Sequence, residues 1–342
     1  MSEVEIKPLL DWLLRRHPDT PKGRAKKWIL AGRVSVHGVV CGQPHERIAD
    51  PGDALVLRGH HATTLEWGTG WQIHPRVALL YLDAAVAIVN KAPGLISVPA
   101  PNTTVSALSI LADFMAGRIK PPAGVGAGRP LAPAYRRFRP LPVHRLDRDT
   151  SGVFCMATHP AACHHLIEQL KAHTLQREYV AFVDGRAPAS QGTWRHWLQL
   201  SRDELRQHVF GARPVAAHGV EAQEAITHYE VIAEYRRVSG QGFVTKLRLR
   251  LETGRKHQIR AQAAHMGLPL IGDRKYHPAY RDPAPAHWPI EFPRQALHAA
   301  ALTLEHPTQP GTRLTWTAEL PHDLRQLQAI LDRKPSRMPR TL

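Results

Sequence analysis

Apolar positions in the first 60 residues predict a small unit of two helices and several short strands. Leucines recur at helical spacing within residues 9–14, and Thr20 before Pro21 is typical of a helix start. In the helix that follows, Ala25 and Ile29 fall on one face. Short apolar segments predict strands at 34–36, 39–40 and 54–57.

Beyond residue 76, apolar and polar positions alternate in short segments that are typical of strands. The clearest is Phe243–Leu251, where Leu247 and Leu249 face one side and basic residues the other. Further strands are expected at 77–89, 153–157, 179–183, 297–304 and 314–318. Helices are expected at about 104–117 (capped by Thr103 or Thr104), 160–173, 252–267 and from 321 onward, with peripheral hairpins and loops at 186–225.

The order of these elements predicts an α+β fold in which helices flank a large mixed, mostly antiparallel sheet, because the strands are short and lack regular crossover helices. The helix at 160–173 is expected to turn Leu166, Ile167 and Leu170 to the core. The expected organisation is a small N-terminal domain at 1–60, a linker at 61–75, a main domain at 76–332 and a basic tail at 333–342.

The charge balance predicts a polyanionic partner. Lys and Arg total 45 against 29 Asp and Glu, which gives a formal net charge of +16. No apolar segment reaches the length of a membrane span, so RNA or DNA is favoured over an acidic membrane. The first residues carry acids and no apolar segment, and the three cysteines form no disulfide framework. We therefore expect no signal peptide and a cytoplasmic location.

Two basic segments are candidates for phosphate contacts. No acid occurs between Thr20 and Arg33, and the predicted helix there has a strongly basic face. A second cluster lies near the aromatic residues Tyr135 and Phe138, after a Pro- and Gly-rich loop at 121–133. The first segment could instead be a solvated helix face, and the second a disordered basic insertion. The candidate RNA-binding residues are Lys22, Arg24, Lys26, Lys27, Arg33, Arg136, Arg137 and Arg139.

One carboxylate stands out among these cations. Asp147 follows Arg145 and precedes Arg148, and a Thr-Ser-Gly turn comes after it. Neighbouring positive charge favours an ionised carboxylate, which can serve as a nucleophile or base. Taken alone, an Arg-x-Asp-Arg sequence is more often a solvated ion pair.

The whole segment His144 to Gly152 resembles the active-site motif His-Arg-Leu-Asp-x-x-Thr-Ser-Gly of the RluA-type family of RNA pseudouridine synthases. Two further segments are similar to motifs of this family. Arg177 to Gly185 resembles Lys-x-Tyr-x-Ala-x-Val-x-Gly, with arginine replacing lysine. Thr253 to Arg260 resembles Thr-Gly-Arg-x-His-Gln-Ile-Arg, with Lys256 where threonine is commoner.

The resemblance implies roles for individual residues. Asp147 would be the essential acid, Tyr179 would lie in the active site, and Arg260 would pair with the aspartate. Arg145 would enter the space that a flipped uridine leaves, and Ile259 would pack beside the base. Candidates for substrate binding are therefore Arg145, Ile259, Lys91 (in the turn Asn-Lys-Ala-Pro-Gly) and Arg148.

Residues 1–60 resemble the S4 RNA-binding domain, with two helices, a Gly-x-Val-x-Val segment and Pro-Gly-Asp before the last strand. His37-Gly38 stands where that family usually has Asn-Gly. Together the resemblances imply isomerisation of specific uridines in RNA to pseudouridine, without a cofactor, by a monomer. S4-bearing relatives usually act on large-subunit ribosomal RNA, whereas others modify transfer RNA.

Two alternatives come from other functional classes. A non-catalytic RNA-binding protein of the same fold would not need Asp147. A metal-dependent phosphodiesterase using Asp147 and Asp149 would require a further carboxylate at ligand spacing. The cluster of Cys163, His164 and His165 is not expected to bind metal, because adjacent histidines of a helix cannot point to one face.

Overall fold

The computed structural model describes residues 5–30, 34–36, 39–41, 43–57, 70–101, 103–119, 138–203, 206–215, 220–237, 242–280, 290 and 292–332. The chain divides into two compact units, Met1–Glu66 and Trp67–Leu342. The expected linker spans this division. Several predicted features lie outside the described residues: the loop at 121–133, the tail at 333–342, Arg33, Arg136, Arg137 and the side chain of Lys27.

The described residues of the first unit form two helices and two small sheets. Leu9 and Leu13 of the first helix and Ala25 and Ile29 of the second are fully buried and form its core. The spacing of these residues therefore places them on the faces that the sequence predicts. The helices are α1 (Leu9–Arg16) and α2 (Lys22–Leu30), and antiparallel pairing joins β1 (Ile6–Pro8) to β4 (Arg47–Ala49) and β2 (Val34–Val36) to both β3 (Val39–Cys41) and β5 (Leu55–Leu57).

The second unit contains the main sheet. Its strands are β6 (Trp71–His74), β7 (Val77–Leu82), β8 (Val86–Lys91), β9 (Leu141–Pro142), β10 (Ser151–Ala157), β11 (Gln176–Asp184), β12 (Gln191–Leu200), β13 (Gln207–Phe210), β14 (Gln223–Arg236), β15 (Phe243–Leu251), β16 (Leu297–Glu305) and β17 (Arg313–Thr317). The path of hydrogen-bonded neighbours is β13-β12-β14-β15-β11-β16-β10-β8-β7-β6, with β17 beside β16 and β9 beside β10. Among these described pairs, β10 with β16 is parallel and the others are antiparallel. The predicted α+β fold with a mixed, mostly antiparallel sheet is confirmed.

Four helices flank this sheet: α3 (Ala107–Met115), α4 (Pro160–Lys171), α5 (Gln258–His265) and α6 (His322–Asp332). On one side, α3 and α5 pack in the cluster that contains Phe154 and Leu247. On the other, Leu324 and Leu327 of α6 pack with Phe182. Within the described ranges, no helix is long and apolar enough to cross a membrane.

Some elements differ from the sequence predictions. The segment 77–89 is a hairpin of β7 and β8, because Asp83 accepts the backbone N–H groups of Ala85 and Val86 and turns the chain. Residues 191–200 form a long strand that pairs with β13 at the edge of the main sheet, so the peripheral hairpin predicted within 186–225 is part of this sheet. Helix α3 begins at a capping box of Ser106 and Ser109, not at a threonine.

Candidate active site

The segment between β9 and β10 is held at its backbone on both sides of Asp147. The Ser97 hydroxyl donates to the carbonyl of Leu146 and accepts its N–H, at 2.8 and 2.9 Å. Lys91 Nζ donates to the carbonyl of Arg148 at 2.9 Å. Buried groups of the surrounding sheet thus fix the main chain next to the carboxylate.

A second clamp holds the following residue. Arg294 Nη1 donates to the carbonyl of Asp149 at 2.9 Å, while its Nε and Nη2 bind both carboxylate oxygens of Asp323 at the start of α6. Arg294 is buried, and its planar guanidinium suits this paired geometry. The segment of Asp147 is therefore tied to the last helix through one arginine.

Asp147 forms an ion pair with Arg260 of α5, and Arg260 also forms a bidentate ion pair with Asp273. Arg260 Nη1 donates to Asp147 Oδ2 at 3.0 Å, while Nε and Nη2 donate to the two oxygens of Asp273 at 2.7 and 2.8 Å. The ring of Tyr276 covers the guanidinium, with its centroid 5.3 Å from Cζ. The two bonds to Asp273 thus fix the plane of the Arg260 guanidinium, and this plane places Nη1 against Asp147.

The electrostatics of this pair follow from burial and direct contact. Burial would lower the pKa of Arg260, but hydrogen bonds and charge from Asp273 and Asp147 outweigh it and raise the pKa. Burial would raise the pKa of Asp273, but its bonds with Arg260 and two backbone N–H groups lower the pKa. Arg260 and Asp273 therefore remain a charged pair at neutral pH.

Asp147 opens into a cleft of about 690 Å³. Tyr179 of β11 and Ile259 of α5 are buried and form apolar parts of its wall. Burial raises the pKa of Tyr179; the charge of Arg177 opposes this effect and the charge of Asp147 adds to it, so the hydroxyl stays protonated at neutral pH. A planar, partly apolar ligand such as a nucleobase matches this wall.

The cleft lining is mainly cationic, although it also holds the carboxylates of Glu224 and Glu252. It includes Arg145 on one side, Lys171 at the end of α4, and Arg255 and Lys256 before α5. Arg177 lies deeper and donates to the carbonyl of Thr253 at 3.1 Å. A cleft with a carboxylate at its base and cations around it suits a phosphodiester chain that presents one nucleoside.

Comparisons with known proteins agree with this geometry. A model of the RNA pseudouridylate synthase family matches residues 85–265. The ribosomal large subunit pseudouridine synthase D of Escherichia coli strain K12 is 33% identical over 342 residues, covering 97% of this chain and 93% of the relative. The protein of that name from Pseudomonas aeruginosa is 32% identical, covering 92% of this chain and 88% of the relative.

The chain belongs to the RNA pseudouridylate synthase family. The predicted membership of the RluA-type group is confirmed, and the chain is an RNA pseudouridine synthase. The structure of Human RNA Pseudouridylate Synthase Domain Containing 4 has the same fold, with a TM-score of 0.54 and 20% identity over 74% of this chain and 92% of that chain. The S4-like character of the first unit stays a prediction.

The synthase brings most of the predicted site residues together. Asp147, Tyr179, Arg260, Arg145 and Ile259 all line the same cleft, although they come from three separate segments. The parts of the chain that the structure describes contain no group of three or more His, Cys, Asp or Glu arranged to hold a metal ion.

Two predicted substrate contacts lie elsewhere. Lys91 does not line the cleft: it is fully buried, and its Nζ donates to the carbonyls of Ala92, Leu95 and Arg148. Burial lowers its pKa to about 7. The side chain of Arg148 is exposed and lies outside the cleft lining, whereas its backbone carbonyl accepts the hydrogen bond from Lys91 Nζ.

Other predicted residues divide by unit. Lys22, Arg24 and Lys26 are exposed on α2 of the first unit, and Arg139 is exposed just before β9 of the second. Leu166 of α4 is buried in the core as expected. Ile167 instead lines the cleft, because the end of α4 forms part of the cleft wall.

Sequence reasoning assigned no role to three residues around Arg260. Asp273 and Tyr276 hold the guanidinium, and His257 lies between Tyr276 and Asp147. A weak signal existed, because His257 lies in the motif that ends at Arg260. Nothing in the spacing indicates that Asp273, thirteen residues later, folds back onto the same arginine.

Proposed function

We propose that this synthase isomerises uridines of large-subunit ribosomal RNA, with Asp147 as the essential acid. Its location would be the cytoplasm and its working form a monomer. The observation that carries the proposal is the Asp147–Arg260 pair at 3.0 Å in a cleft walled by Tyr179 and Ile259. The two bacterial relatives are named for the large ribosomal subunit, which supports this RNA as the substrate.

The reaction is an internal rearrangement that balances without a cofactor. The N1–C1′ bond breaks, the uracil rotates while it is held, and C5 bonds to C1′. The proton on C5 is lost and N1 gains one. Asp147 serves either by attacking C1′ or by removing the 2′ proton of the ribose, and both routes need its carboxylate within reach of the sugar.

The uridine must leave the base stack before this chemistry. Extrusion costs on the order of a few kcal/mol, which contacts elsewhere have to offset. In our proposal Tyr179 and Ile259 hold the two sides of the detached uracil, and the exposed Arg145 at the rim occupies the space left in the RNA. Arg260 keeps Asp147 oriented throughout.

Phosphate contacts supply the remaining binding energy. Lys22, Arg24 and Lys26 form an exposed basic face on α2, whose first turn has no acid, and Arg139 adds a cation near the cleft segment. Such contacts position RNA without reading its sequence. In this proposal, the first unit acts as an S4-like RNA-binding domain at 1–60.

The test compares native protein with Asp147→Ala and Asp147→Asn, each with large-subunit ribosomal RNA and transfer RNA transcripts carrying 5-³H-uridine, in EDTA. Tritium release by native protein from ribosomal RNA alone is expected, because C5 loses its hydrogen in the rearrangement. Both variants should bind RNA and release none. Release from transfer RNA alone would contradict the substrate, and release by Asp147→Asn would contradict the role of the carboxylate.

A further inference from the structure

His257 lies next to Asp147 but has no part in the chemistry described above. Its Nε2 is 3.9 Å from Asp147 Oδ2, the oxygen that also accepts from Arg260. The imidazole lines the cleft and is about one-tenth exposed. It is therefore the third polar group at the base of the cleft.

The backbone of His257 is held in an unusual conformation. Its φ is +56°, in the left-handed region, directly before α5 begins. For a residue with a side chain other than Asn or Asp, this conformation costs on the order of 1 kcal/mol, and it persists where the surroundings fix it. The left-handed residue aims the imidazole into the cleft just ahead of Arg260.

The hydrogen bonds around the Tyr276 hydroxyl favour one position for the proton of the His257 imidazole. The backbone N–H of Gln207 donates to the Tyr276 hydroxyl at 2.8 Å. The hydroxyl proton of Tyr276 then needs an acceptor, and among the described residues the structure offers His257 Nδ1 at 3.0 Å. When Nδ1 accepts the hydroxyl proton, the ring carries its own proton on Nε2, the nitrogen that faces Asp147.

The charge state agrees with this geometry. Burial lowers the pKa of His257 to about 4. The charged groups that face the imidazole have smaller effects: Asp147 and Asp273 raise the pKa, and Arg260 and Lys275 lower it. The imidazole is therefore neutral at physiological pH. A neutral Nε2–H is a donor that adds no charge beside the carboxylate.

We propose that His257 is a positioning residue that donates Nε2–H to Oδ2 of Asp147, so that Oδ1 alone faces the ribose. The proposal rests on the role of Asp147 proposed above. A carboxylate turns readily about its last side-chain bond. Arg260 gives Oδ2 one hydrogen bond, and a second donor on the same oxygen removes most of that rotation. The 3.9 Å separation is expected to shorten when RNA fills the cleft, since such bonds tighten in the substrate complex.

The first test needs no substrate. Protein labelled with ¹⁵N-histidine is examined by NMR at pH 7, and the His257 signals are assigned by their loss in His257→Gln. We expect a neutral ring protonated on Nε2, and a shift towards the Nδ1 form in Tyr276→Phe, which removes the hydroxyl donor. A ring protonated on Nδ1, or a charged ring at pH 7, would overturn the proposal.

The second test separates a positioning role from a purely structural one. His257→Asn keeps the left-handed backbone and an acceptor for Tyr276, but it cannot reach Asp147. His257→Gln places an amide N–H near the position of Nε2. In tritium release from 5-³H-uridine ribosomal RNA, the asparagine variant should lose about 100-fold in kcat with little change in KM. The glutamine variant should recover a large part of that loss.

His164→Gln is the matched control, because His164 is an exposed histidine of α4 outside the cleft lining. Native kcat in His257→Asn, or an equal loss in His257→Asn and His257→Gln, would overturn the inference. Failure of native protein to release tritium would contradict the proposed function instead, while the NMR spectrum still decides the tautomer of His257.

Discussion

At the scale of single residues, Arg260 accounts for most of the organisation of the candidate site. Its guanidinium divides between two carboxylates, with two bonds to Asp273 and one to Asp147. The bidentate pair with Asp273 fixes the plane of the guanidinium, so Nη1 is held in one position relative to Asp147. Lysine, with a flexible point charge, could not hold both acids in this way.

This arrangement predicts a pH-dependent effect of Asp273→Asn. The pKa of Asp273 lies below its ordinary value of 3.8, so its carboxylate stabilises the fold fully above that pH and less as the pH falls through the lower, folded-state pKa. Removing one partner of a buried pair costs about 3 kcal/mol or more. The free energy of unfolding should therefore drop at pH 6, and the difference from native protein should shrink below pH 3.8.

Urea unfolding at several pH values checks this expectation. Asp113→Asn provides the control, because Asp113 pairs with Arg118 at an exposed position and its loss should change little. A difference between native protein and Asp273→Asn that is as large at pH 3 as at pH 6 would contradict the assignment of the stability to the charged carboxylate.

The residues that sequence predicted well are those within contiguous motifs. Asp147, Tyr179 and Arg260 each sit in a recognisable segment, and the structure places all three in one cleft. Lys91 was misplaced because a turn lysine is normally solvated, and only the fold shows three backbone carbonyls around it. Contacts between residues that are far apart in the chain leave no spacing pattern that sequence analysis can detect.

At the scale of elements, Gly152 explains how the segment of Asp147 enters the sheet. It lies opposite Ala299 in the short parallel pairing of β10 with β16, which begins one residue earlier at Ser151. Its φ is +115°, and a Cβ there would lie 2.1 Å from the carbonyl oxygen of Ala299. Glycine is therefore required both by backbone conformation and by the close approach of the neighbouring strand.

Gly152→Ala should be strongly destabilising, by about 3 kcal/mol or more, because the clash is with backbone that cannot move aside. Thermal unfolding gives the measurement. Gly211→Ala is the matched control, since a Cβ at Gly211 would meet nothing within 4 Å. A melting temperature of Gly152→Ala equal to that of the control would show that β10 and β16 are not packed this closely.

Element boundaries were predictable where a local signal marks them. Alternation identified β15 and β16, and leucine spacing identified α6. The β7–β8 turn was missed because Ala84 and Ala85 continue the apolar run, and the turn depends on the side chain of Asp83. The bounds of strand β12 were not predicted, because its polar positions indicated only peripheral hairpins and loops at 186–225, although Trp194 and Leu198 in it are buried.

At the scale of the whole molecule, the excess positive charge has two distinct uses. Around the Asp147 segment, the buried cations of Arg260 and Arg294 are neutralised by Asp273 and Asp323 and serve to orient backbone and side chains. The exposed cations of α2 have no acid in the first turn of their helix. Net charge therefore predicts the class of partner, while burial decides which cations are available to it.

The last prediction concerns these exposed cations. Replacing Lys22, Arg24 and Lys26 together by alanine should weaken binding to large-subunit ribosomal RNA. It should also reduce the slope of log affinity against log salt by about 2 to 3, because each lost phosphate contact lowers that slope by about 0.7 to 0.9. Filter binding across a range of KCl concentrations measures both the affinity and the slope.

The control is a triple alanine variant of Arg186, Arg236 and Arg313, which are exposed arginines of the second unit outside the cleft lining. It removes the same charge and should leave the slope near that of native protein. Equal slopes for the two triple variants would mean that RNA responds to total charge, and the first unit would then have no specific part in binding.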